Sequence, residues 1–328
     1  MDELFTQSSM IKAEARKIGF DGCGISKAGE LTEDRERLSA WLKKHYHASM
    51  RYMENHFGKR VNPSILVENA KSVISVILNY YPAERQKDPD APVVSKYAYG
   101  RDYHRVIRPK LKQLLQYINS EIKPAKGRGF VDSAPVLDRA WAARAGLGWI
   151  GKNSMLISPG SGSYFFIGSL IVDIELSYDS PIPDFCGDCN RCLNACPTQA
   201  IVTPHVIDSG KCISYHTIEN RGEIDPELKG KFQHRVFGCD ICQDVCPWNR
   251  KATPHGHSEL MPITALLEMK RNDWYQLDDR QYSDVFQTSA IKRTGFQGLK
   301  RNLKFIQDEY EPDSGQTDRK FQPDSGPA

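Results

Sequence analysis

The sequence predicts an α/β domain, then a small cysteine-rich module and a short helical segment. Three observations support this fold class. Helical and strand patterns alternate from residue 1 to about 180, as they do in domains that pack helices on a sheet. Eight of the nine cysteines lie between residues 186 and 246. Residues 256–306 return to helical periodicity, and 328 residues suffice for two domains or one large one.

The elements of the first domain follow from hydrophobic periodicity. The predicted helices cover residues 4–18, 107–118 and 136–145, and the predicted strands cover residues 20–25, 73–78 and 163–176. Ser133-Ala-Pro135 precedes the third helix, and a proline there is a helix-start signal. Gly146 closes that helix.

Composition sets the expected domain boundaries and compartment. We expect an α/β domain at residues 1–180, a metal-folded module at 181–255, a helical segment at 256–306 and a disordered acidic tail at 307–328. No apolar run is long enough for a membrane span, and the N-terminus lacks the pattern of a secretory signal. Clustered cysteines in such a chain favour metal ligation over disulfides. The expected compartment is the cytoplasm.

Two cysteine motifs predict iron–sulfur clusters. Residues 186–197 read CGDCNRCLNACP, a C-x2-C-x2-C-x3-C-P run, and residues 239–247 read CDICQDVCP, which is one cysteine short. Cys212 is predicted to supply the missing ligand. In paired motifs of this kind, the fourth cysteine of each run ligates the cluster of the other run.

This exchange rule assigns all eight cysteines to two [4Fe–4S] clusters. The first cluster would take Cys186, Cys189, Cys192 and Cys246, and the second would take Cys196, Cys212, Cys239 and Cys242. Zinc ions or disulfides are the alternatives, but zinc does not require the Cys-Pro ending that both runs share. Two clusters fit either a ferredoxin-type electron carrier or an enzyme. The long domain ahead of them favours an enzyme.

Five stretches of the sequence resemble the epoxyqueuosine reductase family. They are VDSAPVLDRAWAARAGLGWIGKNSMLISPGSGSYFFIGSLIVDIEL at residues 131–176, KRVNPSILVENAKSVISV near residue 60, KYAYGRDYH at 96–104, and the two cysteine motifs. The resemblance runs from about residue 5 to residue 306. It implies a cobalamin-binding α/β domain followed by a ferredoxin-like domain with two [4Fe–4S] clusters, as in reductive dehalogenases.

The implied reaction is reduction of epoxyqueuosine to queuosine at the wobble position of tRNA. An external low-potential donor would feed the clusters, and these would reduce cobalamin. The alternative enzyme is another cobalamin and iron–sulfur reductase, such as a reductive dehalogenase. Many family members continue into a helical-repeat extension that helps to hold tRNA, so residues 289–304 are expected to carry more of that role here. We expect a monomer and no membrane partner.

The resemblance also implies roles for individual residues. Asp132 would be the proton donor that protonates the epoxide oxygen, although an aspartate before Ala-Pro-Val is equally a helix N-cap; Asp138 is a weaker candidate for the acid. The implied cobalamin contacts are Arg60, Ser95, Asp132, Leu156, Ile157, Ser158 and Gln243.

An uneven charge distribution predicts the tRNA-binding surface. Residues 96–152 carry twelve Lys or Arg against four acids, and residues 292–304 carry five basic residues and no acid. Such side chains can contact phosphates of the anticodon loop, or simply form a solvated face. The predicted contacts are Arg101, Arg105, Lys292, Arg293, Lys300 and Arg301, with Arg108, Lys110 and Lys112 as further candidates.

Overall fold

The structure is a computed structural model that describes residues 3–307. The predicted acidic tail therefore lies outside the described residues, apart from Gln307. The helices are α1 (Glu3–Ile18), α2 (Thr32–Lys43), α3 (Phe57–Val61), α4 (Tyr103–Tyr117), α5 (Asp138–Arg144), α6 (Arg191–Ala195), α7 (Ile241–Asp244), α8 (Thr264–Glu268), α9 (Arg271–Gln276), α10 (Asp279–Phe286) and α11 (Gly295–Ile306). The strands are β1 (Gly22–Lys27), β2 (Ser72–Asn79), β3 (Val93–Val94), β4 (Gly127–Phe130), β5 (Trp149–Ile150), β6 (Leu156–Ile157), β7 (Phe165–Val172), β8 (Ile201–Thr203), β9 (Val206–Ile207) and β10 (Arg235–Phe237).

A four-stranded sheet of order β1-β2-β7-β4 forms the centre of the first domain, which we call the sheet domain. Each neighbouring pair in it is antiparallel. Because side chains alternate along a strand, β2 presents Ile74 to a core shared with α1 and α4, and presents Val73 to a core that contains Trp141 of α5. The sheet is thus covered by helices on both faces.

The predicted mixture of helices and strands is confirmed, and the bounds shift by only a few residues. The helix expected at residues 136–145 spans Asp138–Arg144. Leu137 is its N-cap residue and makes no side-chain cap. The N-cap interpretation of Asp132 is therefore wrong, and this aspartate lies outside the helix.

The cysteine-rich module, residues 186–246, shares a second core with the C-terminal helices. Phe237 of β10, Trp274 of α9 and Leu299 of α11 are all buried in this core. The core also contains Val94, because β3 pairs in parallel with β10. Within residues 3–307, no helix has the length and apolar character needed to cross a membrane.

Candidate active site and iron–sulfur ligands

Asp132 lies just beyond the end of β4, with its carboxyl group directed into open space. Its side chain is 71% exposed, and its backbone has φ +52°, in the left-handed region that few residues other than glycine adopt. Tyr103 Oη donates a hydrogen bond to Asp132 Oδ2 at 2.7 Å. His104 Nε2 lies 3.9 Å from the same oxygen.

Tyr103 is held rigidly at the first turn of α4. Its ring stacks on Phe166 of β7 at a centroid distance of 4.3 Å, and on His104 at 4.2 Å. Burial raises the pKa of Tyr103, and the negative charge of Asp132 raises it further. The phenol therefore keeps its proton and remains a donor to the carboxylate. His104 Nδ1 in turn contacts Asp102 Oδ1, the N-cap of α4, at 2.8 Å.

Side chains from distant segments surround Asp132 and form what we call the recess. Its members are the six groups whose pKa values respond to the Asp132 charge: Tyr52, Tyr97, Tyr103, Asp138, Arg139 and Arg293. Tyr52 is 43% exposed, yet burial raises its pKa to about 12. Arg139 is also exposed, yet burial lowers its pKa. All six groups therefore lie near the Asp132 carboxyl group, although they come from separate segments of the chain.

The recess is closed by an ion pair between two later segments. Arg293 binds both carboxylate oxygens of Glu219, at 2.6 and 2.8 Å. The hydrogen bond that Arg293 donates to Glu219 is the main reason why the pKa of Arg293 is raised. The site therefore combines residues of the sheet domain, the cysteine-rich module and the C-terminal segment.

Three of the buried polar atoms that have no hydrogen-bond partner in the structure lie near the recess. Among residues 3–307, Arg60 Nε, His104 Nε2 and Ser154 Oγ are buried and lack a hydrogen-bond partner. The Ser154 carbonyl accepts a hydrogen bond from Arg139, so this residue borders the recess. Buried polar groups are normally satisfied. A cofactor rich in amide groups, such as cobalamin, would supply the missing partners.

Other predicted cobalamin contacts are enclosed by protein. Relative exposure is 4% for Ser95, 2% for Leu156, 1% for Ile157 and 5% for Gln243. Gln243 Nε2 donates to the Ser163 carbonyl at 3.0 Å. Ser95 and Gln243 join the sheet domain to the module, because Ser95 Oγ donates to Asp240 and Gln243 donates to Ser163. Their role as cofactor contacts stays a prediction.

The four cysteines assigned to the first cluster line one cavity of about 290 Å³. They are Cys186, Cys189, Cys192 and Cys246. Burial is the main cause that raises the pKa of Cys246, and the charges of Cys186 and Cys189 also raise it. Trp149 Nε1 donates to Cys186 Sγ at 3.4 Å, and hydrogen bonds of this kind tune cluster potentials.

The other four cysteines also influence one another, and Cys192 of the first set contributes to the pKa of Cys242 as well. Burial raises the pKa of Cys239 to about 12, with a contribution from Cys212. The pKa of Cys212 is likewise raised by burial and, to a smaller extent, by Cys196. Cys242 responds to burial first, then to Cys239 and Cys212. The shared cavity supports the first set of thiols, and the assignment of the eight cysteines to two clusters stays a prediction.

This donor set fits two iron–sulfur cubanes. Thiolates are the usual ligands of [4Fe–4S] clusters. In the described part of the chain, no three His, Cys, Asp or Glu side chains converge on a single metal ion. A cubane does not need such convergence, because each thiolate binds a different iron atom.

The predicted tRNA contacts fall into two groups. Arg101, Arg105, Lys292 and Lys300 are exposed, and Arg101 pairs through its backbone with Ser289, so the two basic segments meet. Arg293 and Arg301 are instead bonded within the protein, and Arg293 pairs with Glu219. The guanidinium of Arg301 donates to the carbonyl oxygens of residues 216, 220 and 222 and to Asn302 Oδ1, which commits its donors to the fold.

Sequence reasoning missed Tyr97, Tyr103 and Arg139. All three lie in stretches that carry the family resemblance, at residues 96–104 and 131–176. Periodicity predicts a helix only from residue 107, after Tyr103, and gives no reason to bring this tyrosine near Asp132. For Tyr103 the available signal was the motif YGRDYH at residues 99–104, which carries more polar residues than the start of a helix requires.

Comparison with known proteins identifies the family. A family model described as epoxyqueuosine reductase QueG, DUF1730, matches residues 60–133, and one described as a 4Fe-4S double cluster binding domain matches residues 185–249. An epoxyqueuosine reductase of Cellulophaga algicola is 56% identical over 299 residues, which is 91% of this chain and 97% of the relative.

Solved structures agree with the sequence relatives. A crystal structure of epoxyqueuosine reductase with an epoxyqueuosine-modified tRNA stem loop has a TM-score of 0.85 at 30% identity, covering 95% of this chain and 83% of the other. The Bacillus subtilis enzyme, with its catalytic aspartate loop swung out of the active site, has a TM-score of 0.84 at 29% identity, with coverage of 95% and 83%. On the strength of these matches, this chain belongs to the epoxyqueuosine reductase family.

Proposed function

We propose that this protein reduces epoxyqueuosine to queuosine at the wobble position of tRNA. The observation that carries the proposal is the Asp132 carboxyl group, which is exposed in the recess and bound by Tyr103 at 2.7 Å. Relatives that match nearly the whole chain are epoxyqueuosine reductases, and one solved structure of this family holds a modified tRNA stem loop.

The cofactors of the proposed reaction are two [4Fe–4S] clusters and cobalamin. The cysteine sets would be Cys186, Cys189, Cys192 and Cys246 for the first cluster, and Cys196, Cys212, Cys239 and Cys242 for the second. Arg60 Nε and Ser154 Oγ would donate hydrogen bonds to cobalamin, since both atoms are buried without partners. What cobalamin supplies, when bound, is a strongly nucleophilic reduced cobalt centre.

Removal of the epoxide oxygen consumes two electrons and two protons. Both carbon–oxygen bonds break, the two carbons form a double bond, and the oxygen leaves as water. Asp132 would give a proton to the oxygen as the ring opens. The Tyr103 hydroxyl would then stabilise the carboxylate that remains, because its hydrogen bond to Oδ2 is charge-assisted in that state.

The surrounding surface fits a folded RNA loop. Arg101, Arg105, Lys292 and Lys300 would contact phosphates near the recess, and their attraction would weaken as salt concentration rises. A base in an anticodon loop is easier to unstack than one in a duplex, so it could reach Asp132. We further propose that the enzyme is a cytoplasmic monomer with an external low-potential donor.

We also propose a separate role for each part of the chain. Residues 1–180 would bind cobalamin and the modified base, residues 181–255 would hold the clusters, and residues 256–306 would contribute to tRNA binding. Clusters beside the recess would deliver electrons over a short distance.

One experiment tests the proposed function directly. Protein reconstituted anaerobically with iron, sulfide and cobalamin is incubated with epoxyqueuosine-bearing tRNA and a low-potential donor, and the nucleosides are analysed by mass spectrometry. The expected product has lost one oxygen atom. Iron-loaded protein that binds no corrinoid and leaves the nucleoside unchanged would instead be an electron carrier. Protein without cobalamin serves as the matched control.

A further inference from the structure

His104 lies between two carboxyl groups, and the proposed reaction gives it no role. It belongs to the first turn of α4, directly after Tyr103. Its Nδ1 atom lies 2.8 Å from Asp102 Oδ1, and its Nε2 atom lies 3.9 Å from Asp132 Oδ2. The imidazole therefore bridges the N-cap of α4 and the exposed aspartate of the recess.

The Asp102 carboxylate determines which nitrogen of His104 always carries a hydrogen. Burial alone would raise the pKa of Asp102, but hydrogen bonds from the side chain and backbone of His104 outweigh burial and lower this pKa. A carboxylate only accepts hydrogen bonds, so Nδ1 is protonated in both charge states of the ring. Stacking on Tyr103 at a centroid distance of 4.2 Å supports this orientation. The ring therefore gains and loses its second proton at Nε2.

Nε2 of His104 is a buried atom without a hydrogen-bond partner in the described part of the chain, and buried polar atoms normally have one. Its separation of 3.9 Å from Asp132 Oδ2 is too long for a hydrogen bond. Such contacts are often long before substrate binds and shorten in the complex. The Asp132 side chain is 71% exposed, so it has room to move the roughly 1 Å that would close the contact.

The proposed reaction requires a second proton, because the epoxide oxygen leaves as water and Asp132 holds only one. Tyr103 also bonds to Asp132 Oδ2, but burial and the charge of Asp132 raise the pKa of Tyr103, so the phenol keeps its proton. A base seated in the recess displaces the water around the carboxyl group. The second proton should therefore come from a protein group beside Asp132.

We propose that His104 is a proton-relay residue, which returns a proton to Asp132 within one turnover so that Asp132 protonates the same oxygen twice. This inference rests on the proposed function and deepens it. His104 acts through Asp132 and does not touch the substrate. Its Nε2 atom faces the Asp132 carboxyl group, and its Nδ1–H is held by Asp102.

The protons and electrons of this sequence balance. Asp132 gives its proton to the epoxide oxygen as the first carbon–oxygen bond breaks, which leaves a hydroxyl group. The Nε2–H bond of the His104 imidazolium then breaks, and its proton restores the Asp132 carboxyl group. Asp132 passes this proton to the hydroxyl group as the second carbon–oxygen bond breaks, and water leaves. The external donor supplies the two electrons. His104 ends neutral, with Nδ1–H still bonded to Asp102.

His104→Gln provides the decisive variant, because glutamine is a polar side chain of similar length that carries no mobile proton. Pre-reduced holoenzyme is mixed with an epoxyqueuosine-bearing stem loop, and quenched samples are analysed for both nucleosides by mass spectrometry. Asp132 takes its first proton from solvent before mixing, so epoxyqueuosine should disappear within about twofold of the wild-type rate. Queuosine should form about 10²-fold more slowly, the lower end of the contribution of a positioned acid.

Two further variants sharpen the test. Asp102→Asn keeps a good N-cap residue for α4 but removes the charge that stabilises the imidazolium, so it should also slow queuosine formation selectively. His257→Gln is the matched control. His257 Nε2 lies 2.9 Å from Asp21 Oδ2, but Asp21 precedes β1, at the opposite edge of the sheet from β4. Both rates of this control should equal those of the wild type.

The two rates distinguish a relay from a structural role. Stem-loop affinity and iron content of His104→Gln should equal those of the wild type. Equal slowing of both rates would show that His104 only maintains the site, and an unchanged rate of queuosine formation would show that the second proton has another source. Either result would overturn the relay. Failure of the wild type to convert epoxyqueuosine would instead reject the proposed function.

Discussion

The Asp132 loop and the cysteine-rich module differ in what holds their functional groups in place. Asp132 is 71% exposed and is held by a hydrogen bond from Tyr103, which belongs to a sheet domain with its own apolar cores. The cysteines lie on short elements such as α6 and α7, of five and four residues. A module of this kind gains much of its stability from its metal. The aspartate is therefore held by a few hydrogen bonds, whereas we expect the cysteines to be held in place largely by the clusters that they are predicted to bind.

The largest effect should come from removing a thiol. Cys239→Ser should eliminate the second cluster and abolish turnover, because its thiolate is a proposed ligand and its neighbours would lose their metal. Iron content and electron paramagnetic resonance measure the loss. Hydrogen exchange should increase in the module and stay unchanged in β2 and β7. Cys23→Ser is the control, and a variant that retains both clusters would remove Cys239 from the ligand set.

Asp132→Asn tests the other side of the comparison. Turnover should fall about 10²- to 10⁴-fold, the usual contribution of a general acid, while both clusters remain. Since the side chain is mostly exposed, the free energy of unfolding should change by less than about 0.5 kcal/mol. Nucleoside analysis measures the turnover, and urea unfolding measures the free energy of unfolding. Full turnover in this variant would show that another group donates the proton.

Tyr103→Phe should have a smaller effect on the same site. The stacking on Phe166 is preserved, so only the hydrogen bond to Asp132 is lost. A bond of about 1.4 kcal/mol corresponds to a tenfold lower single-turnover rate. Phe166→Leu offers a contrast, because it would disturb the stack and leave the hydroxyl in place. Equal losses in the two variants would mean that packing, rather than the hydroxyl group, is what matters.

Asp138→Asn should affect stability in a pH-dependent direction. The folded-state pKa of Asp138 is raised from 3.8 to about 7, so its contribution to stability is greatest at low pH and is lost as pH rises through the folded-state pKa. The variant lacks this penalty. Because the side chain is partly accessible, we expect it to be more stable than wild type by about 1 to 2 kcal/mol near pH 8, and equal near pH 4. Urea unfolding at both pH values measures the difference in unfolding free energy. A variant that is less stable than wild type near pH 8 would contradict this prediction.

The smallest effects should come from the exposed basic side chains. Lys292→Ala should weaken stem-loop binding only a few-fold and lower the salt dependence by about one phosphate contact, with no change in stability. Arg301→Ala provides the contrast, since its donors serve the fold. It should lower the unfolding free energy rather than the salt dependence. Binding isotherms at several salt concentrations distinguish the two.

The cysteine sets were readable from the sequence because ligand spacing is a local property. The runs at residues 186–197 and 239–247 place their thiols within a few residues of each other, and only Cys212 required an argument over distance. The helices and strands of the sheet domain were readable for the same reason, since periodicity is also local.

The recess was not readable from local patterns. Tyr52, Tyr103, Arg139 and Arg293 are separated by long stretches of chain, and each alone is an ordinary surface or helix residue. Only the family resemblance pointed to Asp132. The left-handed conformation of that residue and its hydrogen bond with Tyr103 depend on how β4, α4 and β7 pack, which no periodicity encodes. The charge distribution predicted the basic segments. It could not show that the Arg301 guanidinium donates its hydrogen bonds to backbone carbonyl groups.

The parallel pairing of β3 with β10 limits where this chain can be cut. Val94 belongs to the same core as Phe237 and Trp274, although it precedes the first cysteine motif by about ninety positions. An expression fragment that starts at residue 181 would leave the edge of β10 unpaired and a hole beside Phe237, and would invite aggregation. A soluble minidomain for cluster spectroscopy would need residues 86–99 supplied as well, for example by circular permutation.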